Sequence, residues 1–197
     1  MSIIREYYLV GLGNPGVEYT FTRHNVGFMV LDLLQRSCGV DFIKQSGLPA
    51  SVAQCEIKNK TVTLIKPLTY MNRSGLVVEK LDLVYSEDGV VENMLLIYDD
   101  VHLPLGSVRY RAKGTDGRHN GLKSVIGKLG TDKFHRLRIG IGNDKPIREL
   151  HDFVLGNFKK SETDLLSDVL IEAVNSVEWY MEHGIQSTMN KWNGMIL

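Results

Sequence analysis

The sequence is poor in cysteine and proline, carries no net charge and lacks any long apolar run. Its 197 residues include only 2 Cys and 5 Pro, which excludes a disulfide-rich scaffold, a collagen-like chain and a proline-rich disordered chain. No apolar run approaches the ~18 residues of a membrane-spanning helix. Arg5 and Glu6 also interrupt the N-terminus where a signal peptide needs an unbroken apolar stretch. We therefore expect a cytoplasmic protein with no membrane anchor.

The composition that remains is typical of one globular domain. Hydrophobic residues make up 43% of the chain, and a chain of this length buries roughly 70% of its unfolded surface, enough for a core without disulfide or metal. Cys38 and Cys55 lie in apolar settings without CxxC spacing, so we expect two buried free thiols. No repeat, linker or low-complexity tract marks a boundary, so we expect residues 1–197 to form a single domain.

The zero net charge conceals an uneven distribution. At face value, 23 Lys+Arg against 23 Asp+Glu argue against a polyanionic partner. Residues 105–138, however, carry a net charge of +7 between flanking segments of −3 and −4. This segment predicts either a local electropositive surface or a solvated face whose charges pair with acids elsewhere, and charge alone does not decide between them.

The spacing of apolar residues predicts strands that alternate with helices. Strands are predicted at 7–11, 51–57, 61–66, 94–98, 107–111 and 136–142, and helices at 25–38, 74–85, 119–129 and 161–183. The second and third strands flank KNK as a hairpin does. We expect Gly39 and Gly184 to end their helices, and Ser161 with Asp164 to form a capping box. Strands interleaved with helices indicate a layered α/β fold.

A GxGxxG pattern follows the first predicted strand and allows a dinucleotide-dependent oxidoreductase. It consists of Gly11, Gly13 and Gly16. A dinucleotide fold begins its helix within the glycine motif, whereas VEYTFTRH separates Gly16 from the first helical pattern. Asp32, near the place of a ribose-binding acid, lies within that helical pattern. This alternative is therefore the less favoured one.

Short polar strings follow several predicted strands, where α/β proteins build their sites. GLGNPG, TRHN, TYMNRSG, YDD and GRHNG contain Asn14, His24, Asn25, Asn72, Asp99, Asp100, His119 and Asn120. A histidine, a carboxylate and several amides suit general-base activation of water with amide donors to an oxyanion. Taken singly, each residue also fits a turn or capping role. No GxSxG, HEXXH or HxH occurs, so we expect neither a covalent serine mechanism nor a metal site.

Six blocks of the chain carry a family resemblance. They are VGLGNPGVEY, TRHNVG, PLTYMNRSG, YDDVHLPLG, RHNGLKSVIGKLG and FHRLRIGIG, followed later by LHDFVLGNF. In order and separation they closely resemble the bacterial-type peptidyl-tRNA hydrolases. The resemblance implies hydrolysis of the ester between a peptide and the 3′-terminal ribose of tRNA, with no cofactor or metal, which recycles tRNA from chains that leave the ribosome early. It also implies a monomer with a three-layer α/β/α fold around a twisted mixed sheet of about seven strands.

The resemblance implies a role for each matching residue. His24 would be the general base that takes a proton from water, and Asp99 would hold it in its basic tautomer. Asn72 and Asn120 would bind substrate and help to place the water or the developing oxyanion. Asn14 would contact the peptide end and favour a blocked amino group over the free ammonium of aminoacyl-tRNA.

The same resemblance places the tRNA end. Residues implied at the terminal nucleotide, at the wall of the site or beside Asn120 are Tyr19, Tyr70, Met71 and His119. Arg111 and Arg138 match the two family positions associated with the 5′-phosphate, which an arginine can bind bidentately. Lys113, Arg118 and Lys123 would extend contact along the acceptor stem.

The chain departs from the family pattern at a few positions. His102 stands where an acidic residue is usual, and Asp116 and Arg118 stand in a loop that is typically richer in glycine. Tyr70 and Arg111 replace a common phenylalanine and lysine and keep the physical role. No proposed catalytic group is lost. The altered loop nevertheless leaves a second hypothesis open, a catalytically idle protein that binds the acceptor end of tRNA.

Overall fold

A computed structural model of the chain describes residue 4, residues 6–143 and 147–194, and residue 197. These residues form seven strands and five α-helices. The strands are β1 (Tyr7–Gly11), β2 (Ile43–Lys44), β3 (Ala50–Ile57), β4 (Lys60–Pro67), β5 (Val91–Pro104), β6 (Val108–Arg111) and β7 (Phe134–Gly142). The helices are α1 (Val26–Cys38), α2 (Gly75–Val78), α3 (Asn120–Leu129), α4 (Leu150–Leu155) and α5 (Thr163–Trp192).

The seven strands join in one mixed sheet in the order β2-β3-β4-β1-β5-β7-β6. β4, β1, β5 and β7 run parallel to one another, while β2, β3 and β6 pair antiparallel. The carboxyl ends of the four parallel strands therefore meet at one edge, where open α/β sheets build their sites. The predicted mixed sheet of about seven strands is confirmed.

A hydrophobic core lies on each face of the sheet. β5 contributes to both cores, because successive side chains of a strand point to opposite faces. Leu95 and Ile97 pack on the face covered by α1 and α5, and Leu96 and Tyr98 pack on the face covered by α2 and α3. The predicted run MLLIY is thus buried on both sides, as a central strand of a parallel sheet requires. The result is the three-layer α/β/α arrangement.

The helix predicted at 74–85 is wrong beyond its first turn. Only Gly75–Val78 is α-helical. The chain then turns and runs beside β5, where the buried side chain of Asn93 replaces the hydrogen bonds of a helix. Its Oδ1 accepts from the backbone N–H of Val84 at 2.8 Å, and its Nδ2 donates to the carbonyl of Asp82 at 3.0 Å. Apolar spacing does not reveal such a partner on another element.

The last helix differs from its prediction at both ends. Gly184, with φ 74° and ψ 179°, breaks the helix as expected, but the chain resumes a helical path to Trp192. The cap lies earlier than predicted and is only half of a capping box: the carboxylate of Glu162 accepts from the backbone N–H of Lys159 at 2.6 Å, but the Lys159 side chain has no acceptor to return the bond. The prediction that the helix ends at Gly184 is therefore wrong in extent and right about the break.

The two cysteines are free thiols, as expected, but each is only half-buried. Burial and the neighbouring thiol of Cys38 raise the pKa of Cys55 to about 12. Cys55 is therefore protonated at neutral pH and is a poor nucleophile.

Candidate active site

A cavity of about 730 Å³ opens at the carboxyl edge of the sheet, between the ends of the parallel strands and the start of α3. It is lined by ten of the eleven candidate residues: Asn14, His24, Tyr70, Met71, Asn72, Asp99, Arg111, His119, Asn120 and Arg138. Tyr19 is the exception. It ends a 3₁₀ turn at Val17–Tyr19 and is not among the residues that line the cavity.

His24 and Asp99 form a buried pair in this cavity. His24 lies in the 3₁₀ turn Arg23–Asn25 that leads into α1, and Asp99 follows the apolar run of β5. Nδ1 of His24 is 2.8 Å from Oδ1 of Asp99, and the two residues are 7% and 2% exposed. Because an ionised carboxylate only accepts hydrogen bonds, Nδ1 carries the proton and Nε2 keeps its lone pair. This is the tautomer that a general base needs.

The carboxyl group of Asp99 stays ionised despite its burial. Burial raises the pKa of Asp99, but attraction to His24 and His119 outweighs burial, so the pKa of Asp99 lies below its ordinary value. A negative charge is therefore present beside His24 at neutral pH and stabilises an imidazolium there.

His119 is a second imidazole on the same carboxylate. Its Nε2 is 3.0 Å from Oδ1 of Asp99, and its Nδ1 accepts from the backbone N–H of Leu122 at 3.2 Å as the N-cap of α3. The cap assigns the tautomer, because a backbone N–H only donates: Nδ1 of His119 has the lone pair and Nε2 has the proton. The rings of His119 and His24 are 4.9 Å apart between centroids.

Close backbone packing sets His24 above the sheet. A Cβ added at Gly27, in the first turn of α1, would lie 2.4 Å from the carbonyl oxygen of Ile97 and 2.7 Å from the backbone nitrogen of Leu12. Any side chain there would push the start of α1 away from β1 and β5. Since His24 and Asp99 lie three and two residues from these contacts, the packing holds the two side chains at hydrogen-bonding distance.

The glycines after β1 serve the same packing and do not form a dinucleotide site. A Cβ at Gly11 would lie 2.5 Å from the carbonyl oxygen of Gly27, and one at Gly13 would meet the ring of Phe28 at 2.7 Å. The next α-helix begins only at Val26. Only the single 3₁₀ turn Val17–Tyr19 follows Gly16, so no α-helix N-terminus stands within the glycine motif to receive a pyrophosphate.

Asn14 is held with its acceptor already used. Its Oδ1 accepts from the backbone N–H of Met71 at 2.8 Å. Its own backbone N–H donates to Oδ1 of Asn25 at 2.8 Å, and Nδ2 of Asn25 donates back to the carbonyl of Asn14 at 2.9 Å. The Nδ2 hydrogens are therefore what Asn14 offers a ligand. They suit a carbonyl oxygen, whereas an ammonium group, which only donates, would have to share the Oδ1 that already accepts from Met71.

Asn72 and Asn120 are exposed and line the mouth of the cavity. Asn72 lies in the 3₁₀ turn Met71–Arg73, and Asn120 is the first residue of α3. The free N–H groups and the dipole of a helix N-terminus favour negative charge beside Asn120. Both amides stand where an oxyanion that develops in the cavity can be stabilised.

Basic side chains line the cavity on the side of β6 and β7. Arg138 is already paired, because its Nε and Nη2 each lie 2.6 Å from Oδ2 of Asp100. Among the described residues, Arg111, Lys113 and Arg118 take part in no ion pair, and all three are exposed. The surface therefore offers three free cations and one guanidinium of defined orientation.

The carboxylate of Asp100 connects Arg138 to the backbone of His102. Oδ1 of Asp100 accepts from the backbone N–H of His102 at 2.8 Å. His102 is itself exposed and lines the cavity, as do Asp116 and Arg118. The positions that we expect to depart from the family pattern therefore all line the cavity.

Arg136 belongs to the basic segment by sequence but not to the surface. It is 2% exposed, and its guanidinium donates to the carbonyls of Thr115 at 2.9 Å, Asp132 at 2.8 Å and Gly114. Arg136 therefore holds the loop that brings Lys113 to the cavity. Neither alternative offered for the +7 segment is complete, since the segment combines a buried structural arginine with a free cationic surface.

Sequence reasoning missed the cavity wall formed by α4 and the arginine that holds it. Leu150, His151, Val154 and Leu155 of this region line the cavity. The buried guanidinium of Arg23 donates to the carbonyls of Gly156 and Asn157 and pairs with Glu162 at 2.7 Å. Arg23 stands beside His24 in the TRHN string, but its partners lie more than 130 residues along the chain and leave no local signal.

The ligand atoms of His24, Asp99 and His119 lie within 4.8 Å of one another, which is close enough for one metal ion to contact all three. Their hydrogen bonds run to each other, however, since Nδ1 of His24 and Nε2 of His119 both donate to Oδ1 of Asp99. A cation between them would have to displace both protons. The donor set fits proton transfer better than metal ligation.

A buried imidazole–carboxylate pair at the carboxyl edge of a parallel sheet, with amides and a cationic wall around it, is typical of a hydrolase that acts on an anionic substrate. A sequence profile described as "Peptidyl-tRNA hydrolase" matches residues 8–196. The chain belongs to the peptidyl-tRNA hydrolase family.

Individual relatives agree with the family assignment. Proteins named peptidyl-tRNA hydrolase from Clostridium botulinum (strain Alaska E43 / Type E3) and Thermoanaerobacter sp. (strain X514) are each 43% identical to the chain over 188 residues. These alignments cover 95% of this chain and 96% and 100% of the relatives. The crystal structure of peptidyl-tRNA hydrolase from Acinetobacter baumannii superposes with a TM-score of 0.87 at 30% identity, covering 100% of this chain and 99% of that one.

The resemblance predicted from six sequence blocks is thereby confirmed. In the described part of the chain, no helix combines the length and the apolar character needed to cross a membrane.

Proposed function

We propose that the protein hydrolyses the ester bond between the peptide and the 3′-terminal ribose of peptidyl-tRNA, which releases free tRNA and peptide for further translation. The observation that carries the proposal is the His24–Asp99 pair. It leaves Nε2 of His24 unprotonated, and His24 lines a cavity large enough for the ester. Membership of the family and the names of its relatives support the substrate. Since translation takes place in the cytoplasm, we place the protein there. We also propose that it acts as a monomer.

In the proposed reaction, Nε2 of His24 takes a proton from water while the water oxygen bonds to the ester carbonyl carbon. The carbonyl oxygen becomes an oxyanion, which the amides of Asn72 and Asn120 stabilise. The oxyanion then collapses and breaks the bond to the ribose 3′-oxygen, which takes the proton back from the imidazolium. Asp99 keeps His24 in the required tautomer and stabilises its positive charge between the two steps.

Asn14 provides selectivity for a blocked amino group. Its Nδ2 hydrogens would donate to the carbonyl of the acyl group in a peptidyl-tRNA. An aminoacyl-tRNA brings an ammonium group instead. The Nδ2 hydrogens of Asn14 are then left without an acceptor, and they face the N–H groups of the ammonium. Sites built to pair a polar group discriminate strongly against substrates that lack it.

The remaining candidates would hold the tRNA end. Tyr70, 58% exposed beside Met71, offers a ring on which the terminal base can stack. Arg111 and Arg138 would bind the 5′-phosphate, and the acceptor stem would extend over the neighbouring cations without sequence readout. His119 would act next to Asn120. Tyr19, outside the cavity, would reach only nucleotides beyond its rim.

The proposed base is tested by peptide release from N-acetyl-aminoacyl-tRNA. Replacing His24 by Ala should lower kcat about 10³-fold, because water loses its proton acceptor, while tRNA affinity stays near native. His183→Ala, an exposed histidine elsewhere on α5, serves as the matched control with native rates. Rates near native in His24→Ala would contradict the assignment of the base. Native protein that binds the tRNA without turnover would instead favour the idle tRNA-binding alternative.

The phosphate role is tested with Arg138→Ala on two substrates. On full-length tRNA, we expect about tenfold weaker binding and a salt dependence reduced by about one charge, because one phosphate contact is lost. Hydrolysis of a minimal substrate without the acceptor stem should barely change. The double variant Arg138→Ala, Asp100→Asn controls for the carboxylate that the single variant leaves unpaired. Equal losses on both substrates would contradict a phosphate contact.

A further inference from the structure

We propose that His119 is a positioning residue that sets the basicity of His24 by sharing the carboxylate oxygen of Asp99. The inference deepens the proposed function and depends on it only where rates are measured. It assigns different tasks to two histidines that contact one buried carboxylate: one takes the proton from water, and the other moderates how strongly that proton is held.

The two imidazoles compete for the same atom. Nδ1 of His24 lies 2.8 Å and Nε2 of His119 lies 3.0 Å from Oδ1 of Asp99, which is 2% exposed and shielded from solvent. Each N–H that donates to this oxygen takes up part of its negative charge. With His119 in place, less charge is left to stabilise an imidazolium at His24. His24 can then return its proton to the leaving ribose oxygen more readily.

The helix cap occupies the lone pair of Nδ1 of His119. Protonation at Nδ1 would break the hydrogen bond from the backbone N–H of Leu122 and leave that N–H without its partner at the start of α3. It would also place two cations with ring centroids 4.9 Å apart. The rings of His119 and Tyr98 also pack in an edge-to-face arrangement, with centroids 5.0 Å apart. Of the two imidazoles, His24 is therefore the one that gains a proton during turnover.

Other charged groups face this pair from neighbouring elements. They are Arg23 with Glu162 beside the turn of His24, Asp100 with Arg138 on β5 and β7, His151 on α4, and the cations after β6. None of them is altered in the variants below. A change in the pKa of His24 between variants therefore reports on His119.

Two variants separate the two hydrogen bonds of His119. Asn is among the best N-cap residues, so His119→Asn keeps an acceptor for the N–H of Leu122 but is too short to reach Asp99 as well. Gln is longer and carries its amide nitrogen near the position of Nε2, so His119→Gln keeps a donor to Asp99 and loses the cap. The first variant removes the proposed function of His119, and the second removes its structural role.

The pKa of His24 is measured by NMR titration of the imidazole, with the resonance assigned from His24→Gln. We expect His119→Asn to raise the pKa of His24 by about half to one unit, the effect of one net hydrogen bond. The acid limb of kcat/KM for N-acetyl-aminoacyl-tRNA should move upward by the same amount. His119→Gln should leave the pKa and the acid limb near native and lower the stability to urea instead.

A purely structural His119 gives the opposite pattern, with unchanged pKa values and losses that follow stability. A pKa of His24 in His119→Asn within about 0.2 unit of the native value, well under the expected shift, overturns the inference whatever the rates do. The titration needs no substrate. If the native protein fails to hydrolyse peptidyl-tRNA, the proposed function fails while the test of His119 still stands.

Discussion

Two buried histidines of this protein, His24 and His135, have opposite electrostatic surroundings. His24 contacts the ionised Asp99 at the carboxyl edge of the sheet. His135, on β7, lies beneath α5 with its Nδ1 2.7 Å from the hydroxyl of Tyr180, and none of the carboxylates in the described residues pairs with it. Burial lowers the pKa of His135 to about 4, so this imidazole is neutral in the native protein. Burial alone makes a histidine inert, whereas burial beside a carboxylate makes a proton acceptor.

The surroundings of His135 have the features of a structural polar network. The ring of Tyr180 stacks on Tyr110 at 6.0 Å, and the hydroxyl of Tyr110 lies 2.8 Å from that of Ser176. Burial raises the pKa of both tyrosines, so their hydroxyls stay protonated. Each polar group finds a neutral partner, which is what a buried group needs to avoid an unpaired donor. The comparison predicts that changes near His24 affect turnover and changes near His135 affect stability.

The largest effect should follow Asp99→Asn. The amide can donate to Nδ1 of His24, which shifts the proton to Nε2 and removes the base, so kcat should fall about 10³-fold. Single-turnover hydrolysis of N-acetyl-aminoacyl-tRNA measures the loss. His135→Gln is the control on the other histidine and should retain near-native rates at neutral pH. A loss below tenfold in Asp99→Asn would end the distinction between the two sites.

An intermediate effect is expected from acid on His135. The unfolded chain binds the proton with a pKa of ~6.5 and the native protein with a pKa of about 4, so the unfolded state holds more protons between these values. The stability that neutral His135 contributes is therefore fully present above pH 6.5 and decreases as the pH falls toward 4. By pH 5 the free energy of unfolding should drop by about 2 kcal/mol.

Urea unfolding at pH 7 and pH 5 measures this decrease in the native protein and in His135→Gln. The variant should lose most of the dependence in this window, because its side chain does not titrate. The contribution of Asp99 appears only at lower pH, since its pKa lies below the ordinary value and its stabilisation is lost as the pH falls through it. Parallel pH dependence in both proteins would show that His135 is not the group responsible.

The smallest effect is expected for Tyr180→Phe, which removes the hydroxyl partner of His135. The free energy of unfolding should fall by about 1 kcal/mol at pH 7, the net value of one buried hydrogen bond, with turnover unchanged. Tyr110→Phe removes a hydroxyl from the same stack without touching His135. Only Tyr180→Phe should alter the pH dependence between 6.5 and 4. Identical pH profiles in the two variants would contradict the pairing of Tyr180 with His135.

Local patterns were enough to predict most of the sheet. The apolar runs at 7–11 and 136–142 predicted strands, and the structure has strands there at Tyr7–Gly11 and, two residues longer than predicted, Phe134–Gly142. The prediction of a helix at 74–85 is wrong because Asn93, on β5, supplies hydrogen-bond partners to the backbone of this segment. The wall formed by α4 was missed for the same reason, since Arg23 holds it through contacts distant in sequence.

The sequence by itself determined the set of polar residues and the family to which the chain belongs, because residue type and spacing are written directly into it. Only the tertiary structure decided which proton each group carries. Met71 takes up the acceptor of Asn14, Leu122 fixes the tautomer of His119, and Asp99 receives two imidazoles on one oxygen. The physical reason is that a proton's position depends on the partner within about 3 Å, and folding chooses that partner.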